Sequence, residues 1–429
     1  MLTVIQNPTL ATIATIRKKT ATESKIVQTV AEMFTDIENS GDTAIEKYAL
    51  QFDQTPADRI KIKQEELEEL AATCTEDLKT AINLAIDNIR TFHLSQKRTS
   101  DPKIETSPGV FCWRRQVPIE RVGLYIPGGT APLFSSFIML AVPALIAGCK
   151  DIIVCTPPQP NGEVHPGIAY IATSLGISEV YRLGGVQAIG AMGFGCRYFT
   201  PCYKIFGPGN QYVTEAKQQL ALRGIAIDMP AGPSELCVFA DQTANPDFVA
   251  ADLLSQAEHG IDSQVVLIST SSNIVDKIAK SIQNQLPVLP RKEIASKALE
   301  QSFALVTDSE DLAIQLINEY APEHLILAMD QAQEMAANIK NSGSIFLGHY
   351  SPESAGDYAS GTNHTLPTQG HAKAYSGVSV DSFVKNITYQ EISPDGIKNL
   401  GPAVEILAAY EGLEAHKNAV TLRLKSLEI

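Results

Sequence analysis

The sequence predicts an α/β fold with two doubly wound parallel sheets, a helical region ahead of them and a tail behind. Three observations carry this. From about residue 119, strand-like runs alternate with helical stretches, a rhythm that builds parallel sheets covered on both faces. A second series starts at Leu236. At 429 residues the chain is also too long for one ordinary core. Two such series read as two Rossmann-like units.

Residues from about 22 to 97 read as helical: Ile45, Tyr48 and Ala49 recur at helical spacing, with Glu46 and Lys47 on the polar side. The stretches Glu65 to Ala72 and Glu76 to Phe92 continue that character, and no chemistry is expected here. The first strand series is Arg121–Ile126, Asp151–Cys155, Val180–Leu183 and Tyr203–Phe206, with helices expected at Ser135–Ala147 and Gln211–Leu222. The second is Leu236–Ala240, Val265–Ser269, Ala304–Thr307, Leu325–Ala328 and Ser344–Leu347. Between about 349 and 381 the chain is rich in Ser, Gly, Pro and His, and a loop this long in a compact domain is usually functional. The segment from about Ser382 is polar, with one helix expected at Val404–Ala415, and reads as a tail that packs on something else.

The formal net charge is −14, with no basic block, which argues against nucleic acid and anionic membrane surfaces as partners. The seven cysteines include no C-x-x-C pair, so neither a disulfide framework nor a thiolate zinc knot is expected. Cys112 and Cys149 read as small packing residues rather than thiol nucleophiles. The longest apolar run, Phe137 to Gly148, contains Pro143 and falls short of the roughly 18–20 residues of a membrane span. No signal-peptide pattern opens the chain. The expectation is a soluble, cytoplasmic protein.

Three segments suggest a chemical centre: Ser255-Gln256-Ala257-Glu258-His259-Gly260, Ala321-Pro322-Glu323-His324, and Ser354-Ala355-Gly356-Asp357-Tyr358. Asn245-Pro246 reads as the N-cap and first residue of a helix whose last turn carries Gln256 and His259 on one face, with Gly260 at C′. Gln256, His259, Asp357 and, in the tail, His416 offer an amide oxygen, two imidazoles and one carboxylate, a set suited to a borderline divalent metal such as zinc. In Glu323-His324 a histidine base sits beside a carboxylate able to activate water, provided the chain bends to bring both to one site. The Gly-rich turns Ile126-Pro127-Gly128-Gly129 and Gly207-Pro208-Gly209-Asn210 permit a dinucleotide pyrophosphate, but neither completes G-x-G-x-x-G.

These segments together resemble the histidinol dehydrogenase family. The resemblance extends at least from residue 117 to 416 and includes Pro118 to Gly129, Lys204 to Asn210, Pro230 to Glu235, Gln256 to Gly260, Ala321 to Leu325 and Asp357 to His364. It implies a zinc-dependent, four-electron oxidation of L-histidinol through L-histidinaldehyde to L-histidine, reducing two NAD+. It implies one zinc per subunit, at Gln256, His259, Asp357 and His416, with His324 as acid/base and Glu323 as activator of water. Substrate contacts are implied for Ser234, Gln256, His259, His324, Asp357, Glu411 and His416, with His364 nearby, and NAD contacts for Tyr125, Gln187 and Asn210.

The resemblance further implies a homodimer whose tail is exchanged, so that His416 and Glu411 complete the other subunit's site. The expected division is an arm at 1–21, a first Rossmann-like domain at 22–125 and 236–381 bearing the metal and acid/base residues, a second at 126–235 on the NAD side, and a dimerisation tail at 382–429. A metal-dependent hydrolase using Glu323 has the same ligands but no use for Tyr125, Gln187 and Asn210. A binding protein without chemistry is the other class weighed, and a general alcohol dehydrogenase would not need a site that demands an imidazole.

Overall fold

The computed structural model describes residues 2–17, 24–98, 101–128, 132–229 and 232–428; Gly129, Pro230 and Ala231 of the motifs, and 18–21 of the expected arm, lie outside them. The chain forms two compact units, Met1–Gln96 with Glu120–Ser382, and Lys97–Ile119 with Phe383–Ile429.

The first unit holds two sheets, parallel throughout. The six-stranded sheet has the order Thr3–Gln6, Phe303–Val306, Gln264–Ser269, Glu235–Ala240, His324–Ala328, Ser344–Leu347. Its four inner strands read as apolar runs because both faces are buried. Leu236 and Val238 pack into one core with Leu267, Ala304 and Ile326, while Cys237 and Phe239 point into the opposite core with Val266, Leu305 and Leu325. The five-stranded sheet has the order Val180–Arg182, Asp151–Thr156, Arg121–Tyr125, Lys204–Phe206, Ala226–Ile227.

The alternating β/α series stands as read, but its division between sheets differs in two ways. Arg121–Tyr125, expected with the first domain, is the central strand of the five-stranded sheet. The helices Ser24–Ser40 and Asp42–Asp53 pack there too: Ile26, Val30, Phe34 and Ile37, at helical spacing, share a core with Ile189, Met192, Ile205 and Leu220. A helix's periodicity says which face it buries, not against which sheet. Of the expected arm, Thr3–Gln6 is an edge strand paired with Phe303–Val306.

The second unit is an antiparallel sheet with two helices. Val384–Ile392 pairs with Val110–Pro118, which also pairs with Ile104–Ser107. Instead of one helix at Val404–Ala415 there are two, Pro394–Tyr410 and Glu414–Lys425, separated by a turn at Glu411-Gly412. Trp113 stacks on Tyr389 across the strands, with ring centroids 5.3 Å apart.

A buried ion pair fixes the turn that follows Lys204–Phe206. Lys217 Nζ lies 2.5 Å from Asp228 Oδ1 and donates to the Gly207 carbonyl at 2.7 Å, while Asp228 Oδ2 accepts from the Gly207 N–H at 2.8 Å. Gly207 has φ 123°, and a Cβ there would lie 2.1 Å from the Tyr125 carbonyl oxygen, so only glycine fits. Replacing Lys217 by Met strands a buried carboxylate and should destabilise the fold by about 3–5 kcal/mol. A lowered urea midpoint checks this; an unchanged midpoint contradicts it.

Candidate active site

The acid/base segment is shaped by a sharp reversal. The helix Glu310–Tyr320 ends at Ala321, which adopts a left-handed conformation with φ 51°, unusual for a residue with a Cβ. Pro322 follows, and the strand starts at His324. Glu323 and His324 come together at one site, with His324 Nδ1 3.7 Å from Glu323 Oε2. Both side chains are buried. Glu323 Oε2 accepts from the Glu235 N–H at 2.9 Å, and the Ser234 side chain also bonds this carboxylate.

Register gathers the rest at the amino-terminal edge of the six-stranded sheet. His324 sits opposite Leu236, so Ser234 and Glu323 precede neighbouring strand starts. The helix Pro246–Ala257 follows Glu235–Ala240 and returns its C-terminal end to that edge. Asn245 is its N-cap and Pro246 its first residue, as expected. Its other end differs. Glu258 is the C-cap, His259 lies beyond the last turn with its N–H on the Gln256 carbonyl at 3.2 Å, and Gly260 is not left-handed. Doubly wound sheets usually bind ligands at the carboxyl edge, whereas here the candidate residues gather at the amino edge.

A cavity of about 110 Å³ lies there, lined among others by Ser234, His259, Glu323, His324, Asp357 and His364. Gly207, Pro208 and Asp228, which follow the strands of the other sheet, line it as well. His364 Nδ1 meets the Asp357 carbonyl oxygen at 2.8 Å and therefore carries the proton, leaving Nε2 to accept from the Ser136 hydroxyl at 3.1 Å.

Glu353 was not singled out from the sequence. It stands four residues before Asp357 on the short helix Glu353–Tyr358, so both project toward His324: Nδ1 lies 3.3 Å from Glu353 Oε1 and Nε2 3.5 Å from Asp357 Oδ1. The spacing Glu353-x-x-x-Asp357 was the available signal. Burial lowers the affinity of His324 for its proton, but Glu353, Glu323 and Asp357 outweigh it and take the imidazole up to about 10. Burial pushes Glu323 up to about 7, within reach of proton exchange near neutrality. Three carboxyl groups on one imidazole call for positive charge, from a proton on His324 or from a bound cation.

The residues fit a cation. Gln256 is fully buried, and neither its amide oxygen nor its nitrogen has a hydrogen-bond partner among the described residues; Asp357 Oδ1 has no hydrogen bond there either, its ion-pair partner being His324 Nε2 at 3.5 Å. Such orphaned buried atoms are costly unless something binds them. One ligand atom each from His324, Glu353 and Asp357 lies within 4.8 Å of the others. His259 is solvent-accessible at the cavity rim. His416 and Glu411 belong to the second unit, both exposed.

The three candidate NAD residues lie at the carboxyl edge of the five-stranded sheet. Tyr125 Oη accepts from the Gly185 N–H at 3.1 Å, and Gln187 is two residues further along the helix Gly185–Phe194. Asn210 caps the helix Gln211–Leu222, its oxygen accepting from the Tyr212 and Val213 N–H groups. The strand order reverses between Arg121–Tyr125 and Lys204–Phe206, a switch point where such sheets open a crevice.

Residues 16–424 match the family profile described as histidinol dehydrogenase. A histidinol dehydrogenase of Bacteroides thetaiotaomicron is 53% identical over 430 residues, covering 100% of both chains. That of Photobacterium profundum is 48% identical, covering 94% of this chain and 91% of its own. The crystal structure of histidinol dehydrogenase from Elizabethkingia anophelis superposes with a TM-score of 0.96 at 51% identity, covering 100% of this chain and 99% of that one.

Proposed function

The chain belongs to the histidinol dehydrogenase family, an oxidoreductase family, and from that premise we propose that it oxidises L-histidinol to L-histidine through L-histidinaldehyde, in histidine biosynthesis, with two NAD+ as hydride acceptors. One observation carries the reading: a buried Glu323–His324 pair lines a small cavity together with His259 and the carboxylate of Asp357.

With a cation bound among the carboxyl groups, His324 is free of its proton and takes the alcohol proton as the carbinol hydride departs to NAD+. Glu323 then removes a proton from water as the oxygen adds to the aldehyde carbon, while His324 returns its proton to the carbonyl oxygen, giving the hydrate and freeing the imidazole for the next step. His324 accepts the hydrate's hydroxyl proton in the second oxidation, which releases the carboxylate. Ser234 and the Glu235 N–H hold Glu323 in place for the middle step. In this reading Gln256, His259 and Asp357 hold one zinc ion together with His416 of the other subunit in a homodimer. Zinc supplies a Lewis-acid anchor that orients the substrate. Tyr125, Gln187 and Asn210 contact NAD, and Ser234 and Glu411 the substrate.

The test is NADH release on adding histidinol, with product stoichiometry: two NADH per histidine support the reading. Hydrolysis of an ester or amide without NADH would point to the hydrolase instead. Full turnover after complete metal removal would refute the role of zinc.

Glu323→Gln separates the steps. It should impair aldehyde hydration by about 10²-fold or more while sparing the first hydride transfer. The yield from histidinol should fall from two NADH toward one. Equal losses with histidinol and histidinaldehyde would refute the division of labour.

A further inference from the structure

Asp53 ends the helix Asp42–Asp53, in a region for which the sequence suggested no chemistry. Its side chain reaches the carboxyl edge of the five-stranded sheet. One oxygen, Oδ2, accepts from the Gly184 N–H at 2.9 Å and from Gln187 Nε2 at 2.8 Å. Gly184 lies two residues beyond the strand Val180–Arg182 and caps the helix that carries Gln187. The fit is tight. A Cβ on Gly184 would come within 2.6 Å of Asp53 Oδ1 and 2.7 Å of Pro157 Cβ, just past the strand Asp151–Thr156. Tyr125, at the end of the central strand, bonds the next N–H, that of Gly185.

This arrangement decides which way round the Gln187 amide sits. An ionised carboxylate only accepts, so the –NH2 must face Asp53 and the carbonyl oxygen must face away. Gln187 Oε1 lies over Gly185, 3.2 Å from where a Cβ would stand, and Gly185 has φ 54°. Glycine thus both makes the turn and leaves room for the amide oxygen.

We propose that Asp53 is a positioning residue for the dinucleotide: it presets the Gln187 amide with its oxygen as acceptor and fixes the Gly184-Gly185 turn, so that a hydroxyl or amide donor of NAD meets a preorganised partner. The proposal rests on the reading of Tyr125 and Gln187 as NAD contacts. Preorganisation improves binding without touching the reacting atoms. Asp53 should therefore act on NAD affinity and not on the chemical steps.

The experiment uses the full-length protein. NADH affinity is measured by fluorescence titration without histidinol, and KM for NAD and for histidinol by steady-state kinetics. Asp53→Ala should weaken NADH and raise KM for NAD about tenfold, the size expected for losing a hydrogen bond to a charged group. KM for histidinol and kcat should stay within about twofold, since the site at the other sheet is untouched. Asp53→Asn, whose oxygen can accept both bonds, should recover most of the affinity. If Asp53→Ala does not fold, Asp53→Glu, which displaces the carboxylate by one methylene, carries the same expectation. Gln187→Ala is the control for the underlying reading. If it leaves NADH affinity unchanged, Gln187 is no NAD contact and the proposal falls with that reading. If it weakens NADH while the Asp53 variants do not, the contact stands and the positioning role is overturned. A uniform loss in kcat with unchanged NADH affinity would likewise overturn it, marking Asp53 as structural only.

Discussion

Replacing His324 by Asn should slow both oxidations by about 10²–10⁴-fold, the usual cost of losing a positioned base. Asn reaches roughly as far as the imidazole Nδ1, so it can still donate toward Glu353, 3.3 Å from Nδ1 in the native protein. It has no counterpart to Nε2, the nitrogen beside Asp357 Oδ1. The substitution therefore removes basicity while keeping part of the packing. Because one group is assigned to the proton transfer of both hydride steps, the losses with histidinol and with histidinaldehyde should be of similar size. NADH affinity should not change, since the candidate NAD residues lie at the other sheet. NADH formation from each substrate is the measurement. A native rate on either one would remove His324 from that step.

This variant contrasts with Glu323→Gln, and the contrast follows from the surroundings. Glu323 is buried and held by a backbone N–H, which suits a fixed acceptor for a water proton. His324 is ringed by three carboxyl groups that favour its protonated form. Adjacent in sequence, the two residues differ in what they face.

The parallel strands were legible because burial on both faces turns them into apolar runs, such as Glu235–Ala240 and Gln264–Ser269. Thr3–Gln6 and Val384–Ile392 were not, because each is largely exposed and carries no such signal. The partition of strands and helices between the two sheets was also hidden, since Arg121–Tyr125 looks the same whichever sheet receives it. Within the site, Glu323-His324 was legible as an adjacent acid and base. Their convergence on one site is set by the folded backbone, which adjacency in sequence does not specify. Asp53 was illegible for another reason: its partners, Gly184 and Gln187, lie more than a hundred residues away and are met only after folding.

A mixture of His324→Asn and His416→Asn subunits should recover activity near a quarter of that of the native protein, although each variant alone is nearly inactive. The second unit leaves Ile406, Leu407 and Leu413 exposed at 59%, 64% and 43%. An apolar face of this kind is stabilised by packing against another chain, and a two-fold dimer repeats the exchange in both directions. His416 rides on the helix Glu414–Lys425, just after this face, and is itself exposed. If it completes the metal set of the other subunit, each site needs His324 from one chain and His416 from the other. Random re-association at equal amounts makes about half of the dimers mixed, and each has one of its two sites intact, which yields about a quarter. The other site of a mixed dimer lacks both residues. Subunit exchange is verified by mass on differently tagged chains, and NADH release is then measured on the mixture. If exchange is complete and activity stays at the level of the separate variants, each site is built from a single chain.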